Sequence, residues 1–225
     1  MKKFFEILLD WPRPYISGTD LHHILNKSAN SRHAIIKRAI KKNYLIPIRR
    51  DFYVIKNLGQ PLVDTFEIAT IIYGPSYVSF ESALSYHGWI PEAVRTTTCA
   101  SVKRAKEFET PIGVFSYEHI PIKAFPFGVG QYPQNGVTLF IAAPVKALAD
   151  MMYARRRTWP SIEDLSEDLR IEPESFKDSD KELLLGLIEN YPTPRVKKRS
   201  MFYRGIWDYD NYNYSRKAEK LHTTF

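Results

Sequence analysis

Apolar residues recur at helical spacing from the start of the chain. Phe4, Phe5, Leu8 and Leu9 predict a first amphipathic helix. Leu21, Ile24 and Leu25 predict a second, with Thr19 placed to cap its free N–H groups. After a short link, Ser28 is the next N-cap, and Ser28 to Lys42 reads as a third helix. On a helical wheel Ala29, Ile36, Ala39 and Ile40 gather on one side of it. Asn30, Ser31, Ala34, Lys37, Arg38 and Lys41 gather on the other. The pattern then changes period. Leu45, Ile46 and Ile48, then Phe52 to Ile55, are strand formers around a polar turn at Arg49, Arg50 and Asp51. Pro47 makes the first of these a short edge strand.

Two short helices, a basic helix and a two-stranded wing predict a winged helix-turn-helix over residues 1–57. Leu58 to Gln60 reads as a linker. Residues 61–225 then read as a second, α+β domain. Pro61 to Tyr73 is helical, Tyr77-Val78 is extended, and Ser79 then caps a helix that ends at Gly88, where a left-handed residue costs least. Thr96 to Ala100 is a β-branched strand. Glu107 to Ile120 forms two strands around Pro111-Ile112-Gly113, and Phe127 to Ala142 forms a hairpin turning at Asn135-Gly136. Pro144 suits a first helical turn, and Ser161 and Ser179 open capping boxes. The expected architecture is helices, a small mostly antiparallel sheet, then helices.

Charge sharpens this outline. Residues 1–57 hold twelve Lys and Arg against four Asp and Glu, a net of +8, within a chain whose formal charge is +7. All the excess positive charge sits in the expected winged helix, which points to a polyanion. An acidic protein partner, or simple solvation of a basic face, gives the same counts. Further on, 163–182 holds nine acids and 195–220 eight bases. These can pair with each other, or the basic stretch can be a second polyanion surface. Phe202, Tyr203, Trp207, Tyr209, Tyr212 and Tyr214 lie within it, for stacking on bases or docking on the domain.

Catalytic patterns are missing. His22 and His23 are adjacent, not spaced as a helical metal pair, and no HExxH or CxxC set occurs. There is no GxSxG elbow, GxGxxG or Walker loop. Glu81–His87 and His87–Cys99 remain possible pairings in space. We expect no enzyme activity, no metal and no cofactor. The single cysteine, Cys99, fits a reducing cytoplasm, and no apolar run is long enough to span a membrane.

Three runs carry a family resemblance: Tyr77 to Val94 (YVSFESALSYHGWIPEAV), Phe108 to Pro121 (FETPIGVFSYEHIP) and Ile141 to Tyr153 (IAAPVKALADMMY). Together with the winged helix they resemble the AbiEi-type antitoxins, over roughly residues 5–155. The resemblance implies a DNA-binding autorepressor of a type IV toxin–antitoxin operon active in phage defence. The winged helix would bind inverted repeats in promoter DNA. The second domain would counter a nucleotidyltransferase-like toxin without a stable complex. Asn30, Ser31, Lys37, Arg38 and Lys41 would face the duplex, and Arg49 and Arg50 on the wing would grip an adjacent phosphate. Monomers would meet on DNA. One departure stands out: the family often has Gly where this chain has Asp51, so Asp51 must turn left-handed. The alternative is a ligand-responsive winged-helix regulator with no toxin partner.

Overall fold

A computed structural model describes residues 2–56, 63–134 and 137–177, with seven further positions between 180 and 191. The expected linker at 58–60, the Asn135-Gly136 turn, the capping box from Ser179 and the run 195–220 lie outside them. The described residues form a mixed α+β fold with seven helices and two sheets.

The first part begins with α1 (Lys2–Leu9), which buries Phe4 and Leu8 and leaves Leu9 exposed. A short strand, β1 (Tyr15–Ser17), leads directly into α2 (Gly18–Leu25). The cap is therefore Ser17, not Thr19, because the last extended residue of the strand is the one placed to receive the free N–H groups. Ser17 Oγ accepts from the Asp20 N–H at 3.1 Å, and the Asp20 carboxylate accepts from the Ser17 N–H at 2.9 Å. Asn26 ends α2 in a left-handed conformation (φ 39°), and α3 (Ala29–Lys41) starts after Ser28. Then follow β2 (Leu45–Arg49) and β3 (Phe52–Ile55), antiparallel, with β1 on the far side of β3.

This three-stranded sheet has two buried faces. Ile16, Leu45 and Ile55 meet Phe4, Leu8, Leu21 and Ala39 in a small core under the helices. Ile48, Phe52 and Val54 point the other way, into the core of the second part. Strand alternation thus sends neighbouring residues of β3 into two different cores.

The second part is built on a six-stranded sheet. Its elements are α4 (Thr65–Ile72), β4 (Ser76–Val78), α5 (Phe80–Tyr86), β5 (Thr96–Ser101), β6 (Lys106–Thr110), β7 (Gly113–His119), β8 (Val129–Gln134), β9 (Val137–Ala142), α6 (Pro144–Ala154) and α7 (Ile162–Leu169). The strand order is β6-β7-β5-β4-β9-β8. The sheet's strands fall on the six extended segments that the sequence predicts, and three of the five pairings are antiparallel; β5–β7 and β4–β9 are parallel, which makes the sheet mixed. Hydrophobic alternation marks a strand but not its neighbour or direction, so the parallel pairings leave no local trace. No helix among the described residues is long and apolar enough to cross a membrane.

Candidate nucleic-acid interface

Helix α3 is fixed from beneath. Ala39 is buried, and Ile35, Ile36 and Ile40 pack on the small core. Ala29, expected on this inner side, is exposed: as the first helical residue it lies past the edge of that core. Ser28 accepts from the Ser31 N–H, and Ser28 Oγ donates to Ser31 Oγ at 3.0 Å. The outer face carries Asn30, Ser31, Lys37, Arg38 and Lys41, every one exposed. None of these three cations forms an ion pair among the described residues. Arg38 Nε donates back to the Ala34 carbonyl at 3.1 Å, laying its guanidinium along the helix. Thirteen residues give a rod about 20 Å long, enough to cross a major groove about 12 Å wide.

The two hairpin arginines separate. Arg50 is almost wholly exposed, with only a loose pair to Asp51 at 3.7 Å. Arg49 turns towards the second part instead. Its Nη2 donates to the Ile71 carbonyl at 3.4 Å, and its guanidinium lies over the Phe52 ring. The bulge between Pro47 and Arg49 goes with this turn, since an extra residue re-aims the side chains after it. Asp51 takes the left-handed conformation the sequence demanded (φ 56°), and its carbonyl accepts the Gly18 N–H at 2.7 Å. The hairpin tip is therefore docked on the start of α2.

Sequence reading missed a second group of cations. Lys103 and Arg104 are exposed in the β5–β6 loop and Lys106 is exposed at the start of β6, and β2 lies beside β6. The Tyr73 ring organises the loop. Lys103 Nζ and Lys106 Nζ sit 5.2 and 5.8 Å from its centroid, and its hydroxyl donates to the Arg104 carbonyl at 3.2 Å. Tyr73 abuts Tyr117, and Tyr117 feels the charge of Arg49. The run KRAK was visible, but the near-neutral balance after residue 57 concealed it.

No protein-family model matches the sequence, and no curated protein matches it.

The candidate chemical pairings dissolve in the fold. His87 Nε2 donates to the Ala142 carbonyl at 3.0 Å, away from both Glu81 and Cys99. Glu81 is paired with Arg155, which also reaches Glu118. Cys99 is fully buried, and burial pushes its thiol far above the usual range, so no thiolate forms. No three His, Cys, Asp or Glu side chains converge as a metal set among the described residues. Ser79 stands at the N-cap of α5 but makes no cap bond. Its hydroxyl donates to Asp150 Oδ2 at 2.7 Å, beside the Tyr77 hydroxyl at 2.9 Å. Lys146 Nζ and the Tyr191 hydroxyl reach Asp150 Oδ1 at 2.9 and 2.5 Å. All five residues are buried. Two of the runs that carry the resemblance thus meet in one buried polar cluster.

Proposed function

We propose that residues 2–56 are a winged helix-turn-helix that binds double-stranded promoter DNA at inverted repeats, and that the chain represses its own operon. One observation carries the DNA-binding part of this reading: α3 presents Asn30, Ser31, Lys37, Arg38 and Lys41 outward, with no acid among the described residues neutralising the cations. The inverted repeats and the autorepression are what the resemblance implies. Amides and hydroxyls at the start of such a helix read base edges, and cations further along grip phosphates. Arg50 and the Lys103–Lys106 segment extend the phosphate-binding surface. Arg49 serves to hold the hairpin against α4.

We further propose that the chain counters a nucleotidyltransferase-like toxin without a stable complex. That half rests on the resemblance alone.

Fluorescence anisotropy on promoter duplex tests the first half. Arg38→Ala with Lys41→Ala removes two phosphate contacts. Affinity should fall on every sequence, and the slope of log K against log salt should drop by about two. Wild-type affinity in this variant would rule the α3 face out. Asn30→Ala should instead cost about 1–3 kcal/mol on the operator and little on unrelated DNA. Co-expression with the neighbouring reading frame, scored by growth with and without residues 58–225, tests the second half.

A further inference from the structure

A cavity of about 360 Å³ opens at the carbonyl end of α6, walled by Ala105, Glu118, His119, Met152, Tyr153 and Arg156. Three consecutive arginines follow α6, and two of them are occupied. Arg155 is held by Glu81 and Glu118, so the one acid on the cavity wall already has a counter-charge. Arg157 pairs with Asp168 at 3.0 Å. Arg156 is exposed and has no acidic partner among the described residues. His119 adds an imidazole whose Nδ1 donates to the Lys103 carbonyl at 3.1 Å. Arg104 and Lys106, the first residue of β6, flank Ala105. Tyr153 and Met152 give the cavity an aromatic and apolar side.

We propose that this cavity binds a nucleoside phosphate, the phosphate on Arg156 and the base against Tyr153 and Met152. Its size falls in the ordinary range for small-ligand sites, about 300–1,000 Å³. A free guanidinium favours phosphate by charge and by its paired donors, and an aromatic wall takes the flat face of any base. The bond from His119 to the Lys103 carbonyl joins the cavity wall to the basic segment. Ligand binding here does not rest on the DNA-binding reading.

The test is calorimetric titration of the full chain with GTP, ATP, inorganic pyrophosphate and guanosine. At least one nucleotide should bind below about 1 mM, and roughly tenfold tighter than pyrophosphate or guanosine. Arg156 sits in the left-handed conformation (φ 57°) just past a helix, where glycine is the cheapest residue. Arg156→Gly therefore keeps the fold and removes the guanidinium, and it should weaken nucleotide binding about tenfold or more. The variant carrying Arg38→Ala and Lys41→Ala should bind nucleotide as well as the natural chain, even where it no longer binds DNA. The proposal is overturned if neither nucleotide binds, if pyrophosphate binds as tightly as the nucleotides, if Arg156→Gly changes nothing, or if the α3 variant loses nucleotide binding.

Discussion

Replacing Asp150 with alanine removes the acceptor at the centre of the buried cluster. Lys146 and Asp150 face each other one helical turn apart on α6, both with 0% of the side chain exposed. In the variant, Lys146 Nζ retains the Tyr191 hydroxyl but no counter-charge. Breaking a buried ion pair by deleting one partner costs about 3–5 kcal/mol. A ceiling follows from the lysine itself. Burial already pushes the Lys146 pKa down, and the Asp150 charge is what holds it up. Once Asp150 is gone, Lys146 releases its proton rather than stay charged. From an ordinary lysine value of about 10.4, that release costs about 5 kcal/mol at pH 7 and about 2 kcal/mol at pH 9. Between those pH values the unfolded chain holds a proton that the folded variant has lost, so the variant gains stability as pH rises. Urea unfolding followed by tryptophan fluorescence should show a deficit of about 3–5 kcal/mol at pH 7, shrinking to about 2 at pH 9. Lys146→Met leaves three hydroxyl donors on Asp150, and its deficit should be smaller and should not shrink. A deficit for Asp150→Ala below about 1 kcal/mol, or one equal at both pH values, would refute the picture of a charged, buried pair.

Arg49→Ala should leave the salt dependence of DNA binding unchanged, whereas Arg50→Ala should lower its slope by about one; equal slopes would return Arg49 to the DNA-facing set. Gly18→Ala ought to gain up to about 1 kcal/mol of helix propensity. Its new Cβ, however, would lie 2.8 Å from Asp51 Cβ, and such overlap costs about 1–3 kcal/mol. A lower melting temperature is expected, and a higher one would show that the hairpin tip is not docked on α2. Burial pushes the His87 imidazole below its ordinary pKa. Its contribution is therefore full above about pH 6.5 and is lost as pH falls from there through the folded value. His87→Gln keeps a donor for the Ala142 carbonyl, so its melting temperature should fall less than that of the natural chain between pH 7.5 and 5.5; parallel falls would show that His87 is not the titrating group.

What the sequence made legible was local. Ser28, Asp51, Gly88, Pro144 and Ser161 each announce a cap or turn by their own chemistry, and each sits where that chemistry is used. The exposed side of α3 was legible too, because one helix wheel sorts residues without knowledge of neighbours. Features that depend on another segment were not. β1 is too short to show a period and exists because β3 offers it an edge. Ser79 reads as a cap until Asp150, 71 residues away, claims its hydroxyl. Arg49 reads like Arg50, and its bond to the Ile71 carbonyl comes from a segment 22 residues away.

The shared sheet decides how the α3 face can be used. A tethered reading domain would swing on its linker, and two copies could accommodate half-sites at several spacings. Here Ile48, Phe52 and Val54 are inserted in the core of the second part, so swinging would expose three buried apolar side chains. Burying each is worth about 1.5–3 kcal/mol, or roughly 5–9 kcal/mol together, comparable to the whole stability of many domains. The two parts must therefore move as one body during binding. On the proposed reading, two such bodies on an inverted repeat have one workable separation, fixed where their second parts touch or clear each other. Inserting five base pairs between half-sites turns one copy about half a helical turn. It should abolish cooperative binding while leaving each half-site's own affinity intact. Cooperativity that survives the insertion would mean that the sheet is not held in the second core.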